Sequence, residues 1–468
     1  MIRTSIIKLI VALTSQEKLK IKKIVESSYF SSNEHVKKLC FFLLSKEYFS
    51  INNISKEKVF EYVYPDEVFN GSKLRALTSL LLDLIEKSLV IEYNSQNKTR
   101  QKIILAKILR RKELQDLAEK TLQEAKQDST NPVDISTTVL LNEYFWQEEK
   151  YEIDAVNKRY QDFNLQEVTD SLDNYYIAEK LRHACAMVTH ARMYKKQYEI
   201  GLIEPIVSLV ENRLSFYSWQ VQIYYYAYKC VNSTDNPANM ALLQQQMQDH
   251  ETFLSLKQQQ FLYIVLINFC IQGINRGKQE YRSYLLEIYK KGMSKDILLE
   301  KGKLSRFTYK NIITIALNQK QYDWAKAFLE KYYTYLDAEQ EQYYKFALSK
   351  YYYETGKYSL ALKALLNVDF DDLLLTLSTK MLIIKIYYEK DKIDSLETTI
   401  HAFKKYLSRK DILGYHKESY KFALTIINQL LQPDLSKTQL QEIKTNVLAS
   451  KVSEKEWLLQ QIDKWKKG

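Results

Sequence analysis

The sequence predicts an all-α protein, and three observations support this fold class. Only 9 glycines and 5 prolines occur in 468 residues, too few for the many tight turns of a β-sandwich or an α/β enzyme. Leucine, lysine, glutamine, glutamate and alanine, which favour helix, are plentiful. Small and apolar residues also recur over a long period, with Ala325, Ala361 and Leu396 separated by 36 and then 35 residues. Such a period is typical of stacked helix pairs.

The first 112 residues predict a small helical module. Thr14 and Glu17 form a capping box, in which a hydroxyl and a carboxylate satisfy backbone N–H groups at the beginning of a helix. Ser31 and Glu34 repeat this spacing, and Pro65 marks the end of a third, short helix. A longer fourth helix follows, with leucines at helical spacing. The four helices are predicted to begin near Thr14, Ser31, Ser55 and Asn70.

Residues 89–105 allow two interpretations. In the first, residues 89–93 and 99–105 are two strands that form the wing of a helix-turn-helix module. In the second, the fourth helix continues to Tyr93 and a further helix runs from Lys98 to Ile108. Apolar and polar residues do not alternate cleanly over this segment, as a half-buried strand requires. The sequence therefore favours the helical interpretation.

The positive charge of the chain is concentrated in the same module. Residues 1–112 carry 21 Lys+Arg and 11 Asp+Glu, a balance of +10, so the other residues carry only +1 of the total of +11. Basic side chains that lie together contact phosphates, so nucleic acid is a candidate partner of this module. A solvated lysine-rich surface is the alternative, and we favour it slightly. The candidate phosphate contacts are Lys20, Lys23, Arg100, Arg110, Arg111 and Lys112.

From residue 113 onward the chain is predicted to form successive helix pairs. Polar turns followed by an aromatic or aliphatic residue recur, and they are most regular over residues 309–407. The last residues form an amphipathic helix pair around Trp457, as expected of the cap of a repeat array. Three regions are predicted: the helical module over residues 1–112, the repeat array over residues 113–433 and capping helices over residues 434–468.

The middle helix pair of the array resembles a tetratricopeptide repeat. The residues that match this family's pattern are Leu348, Tyr352, Gly356, Tyr358 and Ala361. The departures are Lys345, Ser349 and Leu365, which stand where the family has Trp, Gly and Phe, and the missing proline that usually closes the unit. The resemblance implies a right-handed α-α superhelical solenoid whose concave face binds peptides.

Tyrosine is unusually frequent, with 37 in the chain. The consecutive tyrosines at 224–226 and 351–353 cannot all point into a core, because neighbouring residues of a helix point in different directions. Some tyrosines therefore line a groove or the surface, which suits a peptide-binding face. Packing between neighbouring repeats is the alternative. The candidate partner contacts are Tyr225, Tyr351, Tyr352 and Tyr387.

Residues that carry catalysis or bind metals are sparse in this chain. Glu179, His183 and His190 have the spacing of two or three metal ligands on one helix face, but a packed or solvated helix face is the favoured alternative. The carboxylates at 369–372 are interpreted as a helix cap and turn. No glycine-rich phosphate loop or nucleophile elbow occurs. We expect a non-catalytic protein with no cofactor and no bound metal.

Cysteine usage and hydropathy bear on the compartment. The four cysteines form no CxxC pair, which disfavours a structural zinc site and a secreted disulfide framework. The apolar run before Thr14 is short and is broken by Lys8, and no run reaches the ~18 uncharged apolar residues of a membrane span. These features predict a cytoplasmic protein without a membrane span.

Together, these features predict a scaffold or adaptor that binds a protein partner through a helical-repeat groove. The alternative is a nucleic-acid-binding regulator, in which residues 1–112 contact DNA or RNA and the repeat array senses a partner. In the regulator residues 1–112 bind DNA or RNA, whereas in the adaptor they do not.

Overall fold

The protein is mostly helical in the part of the chain that the structure describes. This computed structural model describes residues 4–45, 55–128, 137–157, 162–194, 196–233, 236–336, 341–365, 373–409, 414–450, 452 and 454–465. Within these ranges it contains 23 α-helices and one hairpin, β1 (Leu299–Glu300) paired with β2 (Lys303–Leu304). The all-α prediction is therefore confirmed.

The helices are numbered in chain order. Those before residue 256 are α1 (Thr4–Ala12), α2 (Ser15–Glu26), α3 (Glu34–Leu44), α4 (Lys56–Val63), α5 (Gly71–Gln96), α6 (Lys98–Arg111), α7 (Gln115–Asp128), α8 (Thr138–Asn157), α9 (Leu165–Tyr194), α10 (Ile203–Asn212), α11 (Trp219–Asn232) and α12 (Pro237–Asp249). Those after it are α13 (Leu256–Asn275), α14 (Tyr281–Ser294), α15 (Arg306–Asn318), α16 (Tyr322–Tyr332), α17 (Glu341–Glu354), α18 (Tyr358–Leu365), α19 (Leu373–Glu389), α20 (Ile393–Arg409), α21 (Gly414–Leu430), α22 (Lys437–Ala449) and α23 (Lys455–Trp465).

Helices α1 to α5 enclose a hydrophobic core of their own. Its buried side chains include Ile6 and Ile10 of α1, Leu39 of α3, Phe60 of α4 and Leu81 of α5. Helix α1 lies outside the four predicted helices. Its short apolar run forms a packed helix because Ile6 and Ile10, four residues apart, lie on the same side and reach this core.

The predicted helix beginnings at Thr14, Ser55 and Asn70 are confirmed, whereas the one predicted at Ser31 lies two residues later. The capping box at Thr14 is complete, and Ser55 and Asn70 cap α4 and α5. The second predicted helix is capped by Asn33, whose side-chain oxygen accepts two backbone N–H groups of α3. Ser31 is not the cap, because its hydroxyl instead accepts the N–H of Asn33 at 3.2 Å.

The segment between residues 89 and 105 is helical. Residues 89–93 lie in α5 and residues 99–105 lie in α6, with Asn97 between the two helices. The side-chain oxygen of Asn97 accepts the N–H of Arg100 at 2.8 Å and so caps α6. The favoured helical interpretation is confirmed, and the alternative of a two-stranded wing is wrong.

The chain forms two compact units, Met1–Tyr228 with Gln244–Ser255 and Lys229–Leu243 with Leu256–Gly468. In the first unit α6 packs on α7, α7 on α8 and α8 on α9, and α6 also contacts α8. In the second unit α13 pairs with α14, α15 with α16, α17 with α18 and α19 with α20, while α15, α17 and α19 pack in series. This arrangement is compatible with a helical-repeat protein. The predicted boundaries after residues 112 and 433 stay predictions.

One turn geometry recurs at five junctions within helix pairs. Its central residue has a positive φ of 63° at Glu113, 90° at Gly277, 55° at Lys320, 74° at Gly356 and 51° at Asp391. At each junction the next N–H donates to the carbonyl five residues earlier, over 2.8–3.1 Å. This closure satisfies the last carbonyls of the first helix. The last three of these residues keep the 36- and 35-residue period, so the repeat in the sequence is also a repeat in the backbone.

Candidate partner-binding site

Helices α17 and α19 of the second unit carry matching sets of side chains. On each helix a lysine is followed by a tyrosine three positions later and a glutamate four positions later, so the three side chains lie on one side of the helix. The two sets are 35 residues apart, which is the period of the repeat. These residues are named the Lys-Tyr-Glu face: Lys350, Tyr353 and Glu354 of α17, and Lys385, Tyr388 and Glu389 of α19.

The C-terminal helix α23 and the preceding Glu454 lie against this face. The carboxylate of Glu454 accepts a hydrogen bond from Lys385 Nζ at 3.0 Å. Trp457 Nε1 donates to Glu389 at 3.1 Å, and the indole meets the Tyr388 ring edge to face, with centroids 5.3 Å apart. The face therefore binds a helix that presents an acidic group and an aromatic ring.

Glu389 receives three donors from the same side of α23. Besides Trp457, Gln461 Nε2 donates to it at 2.7 Å and Lys464 Nζ at 2.9 Å. These positions recur every three or four residues and so share one side of the helix. Two other residues of α23, Leu458 and Ile462, are fully buried in the core that it shares with α21 and α22. Helix α23 thus packs into an apolar core on one side and makes polar and aromatic contacts with α19 on the other.

A second ion pair extends the contact to α14. Both terminal nitrogens of Arg282 donate to the Glu456 carboxylate, at 3.0 and 2.6 Å. Such bidentate pairing fixes orientation as well as adding attraction. The beginning of α23 therefore carries two carboxylates, and each is held by a basic residue of a different helix.

The charges around the face shift two pKa values. Partial burial raises the pKa of Glu454, but the hydrogen bond and charge of Lys385, with the charge of Lys350, outweigh burial, and the net shift is downward. Burial lowers the pKa of Lys350 to about 8. The positive charges of Lys385 and Lys310 also lower this pKa, whereas the negative charges of Glu354 and Glu454 raise it. Lys350 therefore loses its charge more easily than an unperturbed lysine.

We expect Lys350 to make stability rise with pH. Its pKa is about 8 in the folded protein and 10.5 when unperturbed, so between these values the unfolded chain binds more protons and the free energy of unfolding increases. Lys350→Met should be more stable than the wild type below pH 8, and this advantage should shrink as the pH rises. Urea unfolding of both proteins across this range measures the difference. Lys345→Met, at a half-exposed lysine of the same helix that pairs with Glu341, is the control. An equal pH dependence of all three proteins would refute the assignment.

The four tyrosines predicted to contact a partner lie outside this face. Tyr225 and Tyr351 are buried, so their rings are covered by other groups of the chain. Tyr352 and Tyr387 are half-buried against apolar clusters of the second unit. Burial argues against Tyr225 and Tyr351 as partner contacts, and the role of the other two stays a prediction.

The tyrosines that meet α23 are one position further along each helix. Burial and the nearby carboxylates of Glu389 and Glu354 raise the pKa of Tyr353, and Lys385 Nζ lies over both the Tyr353 ring and the Trp457 ring, 5.2 and 5.4 Å from their centroids. Tyr388 contacts the same indole. The sequence signal for both is the Lys-x-x-Tyr-Glu pattern, of which the copies that begin at Lys350 and Lys385 are one repeat period apart, while a third copy at residues 195–199 lies outside that period.

The six predicted phosphate contacts divide into an engaged set and an exposed set. Three of them are engaged inside the first unit: Lys20 with Glu92, Arg100 over the Phe145 ring at 3.5 Å, and Arg110 with the buried Glu149 at 2.6 Å. Lys23, Arg111 and Lys112 are exposed. Lys23 lies on α2, whereas the other two lie at the end of α6. Three of the six candidates are therefore already engaged by other groups of the chain.

Glu179, His183 and His190, whose spacing would suit metal ligands, have other partners. Glu179 accepts from Arg182 at 2.6 Å and lies 3.3 Å from His183 Nε2, whereas His190 Nδ1 lies 2.8 Å from the Tyr198 hydroxyl. Among the described residues, no group of three or more histidines, cysteines and carboxylates is placed to hold a metal ion. The carboxylates at 369–372 lie outside the described residues.

Comparison with known proteins identifies no relative of this chain. No known protein family, curated protein or solved structure matches this chain. In the described parts, every helix is too short or too polar to cross a membrane.

Proposed function

We propose that this protein is a non-catalytic, cytoplasmic adaptor that binds a helical segment of a protein partner on the Lys-Tyr-Glu face. The proposal includes a right-handed, tetratricopeptide-like superhelix for the second unit, with α15, α17 and α19 as successive first helices of its repeats. One observation supports it most directly. The face already binds a helix, α23, through ionic, aromatic and amide contacts.

A partner segment would use the groups that α23 uses now. A carboxylate would meet Lys385, an aromatic ring would meet Tyr388, and hydrogen-bond donors would meet Glu389, which is the mixture of charged and aromatic anchors found at protein interfaces. Such a segment competes with the beginning of α23. The ion pairs there are partly exposed, with Glu456 54% and Glu454 23% accessible, and exposed pairs contribute only about 0–1 kcal/mol each.

A charge exchange tests the proposal. Glu454→Lys places like charges opposite each other at Lys385 and should loosen α23 at the face. The double variant Glu454→Lys/Lys385→Glu restores an ion pair with its signs reversed and should close the face again. Tagged wild type and both variants are purified from cells, and the captured proteins are compared by quantitative mass spectrometry.

We expect at least one protein to be captured more strongly by Glu454→Lys than by the wild type or the double variant. Circular dichroism shows whether the three proteins fold alike. The same captured set for all three folded proteins would rule out this face as the binding site.

The alternative function is nucleic-acid binding, which the balance of +10 in residues 1–112 supports. Exposed Arg111 and Lys112 are adjacent and suit phosphate contacts. A protein that uses them in this way should lose affinity steeply with salt, with a log–log slope of about −0.9 for each phosphate neutralised on duplex DNA. Fluorescence anisotropy of the whole chain with duplex DNA and single-stranded RNA at several salt concentrations decides this, and absence of binding leaves the adaptor.

A further inference from the structure

Helices α6 and α7 of the first unit expose a row of aliphatic side chains. Each of the five residues is between 45% and 52% exposed. They are named the α6–α7 strip: Ile104, Leu105 and Ile108 of α6, Leu114 at the turn, and Leu117 of α7. Single exposed leucines are ordinary, but a cluster of five on neighbouring turns marks an interaction surface.

The strip is not an unfinished part of the core, because α6 buries a different side. Ile103 and Ala106 of α6 pack with Ala118 and Leu122 of α7 and with Trp146 of α8. The Trp146 Nε1 donates to the Leu122 carbonyl at 2.8 Å, which fixes α8 on α7. Helix α6 is therefore apolar on two sides, one covered within the unit and one exposed.

The charge of α6 has one sign, since it contains six basic residues and no acidic residue. The basic residues near the buried side have partners: Arg100 over Phe145, Lys102 with Glu124, and Arg110 with Glu149. Lys107, Arg111 and Lys112 are exposed next to the strip. The exposed surface thus combines an apolar row with a positive border.

We infer that the α6–α7 strip binds an acidic amphipathic helix of a partner protein. The apolar row matches the apolar side of such a helix, and the basic border matches its carboxylates, as in helix-in-groove recognition. Nucleic acid fits less well, because aliphatic side chains offer bases no stacking surface and the strip contains no aromatic residue. A membrane fits less well. A helix that binds a membrane surface inserts a wide apolar side that often carries aromatic residues. The strip has no aromatic residue, and each of its side chains is already about half covered by the protein.

The test uses the full chain and a synthetic probe. The probe is a fluorescein-labelled peptide of ~18 residues, five helical turns, with leucines at helical spacing and glutamates elsewhere. Its control peptide has glutamine in place of glutamate. The protein variants are Ile104→Ser/Ile108→Ser for the apolar row and Lys107→Gln/Arg111→Gln/Lys112→Gln for the border. The matched control variants are Leu80→Ser, at a leucine of α5 that is 51% exposed, and Lys23→Gln on α2.

Fluorescence anisotropy should show binding of the acidic peptide by the wild type and by both control variants. Each strip variant should weaken it by about tenfold, the effect of losing one good anchor, and the glutamine peptide should bind more weakly as well. Unchanged binding in the apolar variant, or preference for phosphatidylserine vesicles or duplex DNA over the peptide, would overturn the inference. Since the Lys-Tyr-Glu face lies in the other unit, variants of Glu454 should leave this binding unchanged.

Discussion

Ala361→Asp should lower the free energy of unfolding by about 3–5 kcal/mol, the usual effect of an uncompensated buried charge. Ala361 is fully buried in the cluster that joins α17, α18 and α19. A carboxylate there loses its hydration without gaining a cation, and its extra atoms crowd a closely packed contact. Urea unfolding followed by circular dichroism measures the loss.

The neighbouring Leu360 provides the matched control for this prediction. It is 46% exposed on the same helix, so Leu360→Asp puts the same charge into water and should change the free energy of unfolding by less than about 0.5 kcal/mol. Equal losses for the two variants would contradict the packing of α18, because only the buried position should be sensitive to the charge.

Trp457→Ala should cost about 3–5 kcal/mol, as truncations of large buried aromatic residues do. The indole is buried between α23 and α19, contacts the Tyr388 ring and donates to Glu389. Truncation leaves a cavity and removes one of the three donors to that carboxylate. Thermal unfolding by calorimetry, together with urea unfolding, measures the loss.

Trp324→Ala provides the comparison for this second prediction. Trp324 stacks on Phe328 and is only half-buried on α16, so its truncation leaves a smaller cavity and should cost clearly less. A loss for Trp457→Ala no larger than for Trp324→Ala would mean that α23 is only loosely held against α19.

Local signals in the sequence were sufficient to predict the all-α fold class and several of the helix ends. Caps at Thr14, Ser55 and Asn70 were predictable because a short polar side chain before an apolar run has few other uses. Helix α1 was missed because its apolar run is short and a short helix depends on packing, which Ile6 and Ile10 supply in the core of α1 to α5. Asn33 and Ser31 could not be ranked from the sequence, because both precede α3 and both suit a cap.

The candidate site was harder to predict, because it depends on which way each side chain points. Three consecutive tyrosines on α17 lie about 100° apart around the helix, and the sequence alone does not say which of them meets a neighbour. Tyr353 rather than Tyr351 or Tyr352 meets Trp457 because α23 lies on that side. The docking of α23 itself depends on contacts between positions about 70 residues apart, such as Lys385 and Glu454, which no local pattern encodes.

The recurring turn allows the repeat array to gain or lose whole helix pairs during evolution. Lys320, Gly356 and Asp391 end their helices along the same backbone path, so the segment between two of these joints is a self-contained module. Nearest-neighbour packing confines the effect of adding or removing one module to the two surfaces that it separates. A gene duplication or deletion of 35 or 36 codons in this stretch would therefore preserve every joint, and the array can evolve by whole modules.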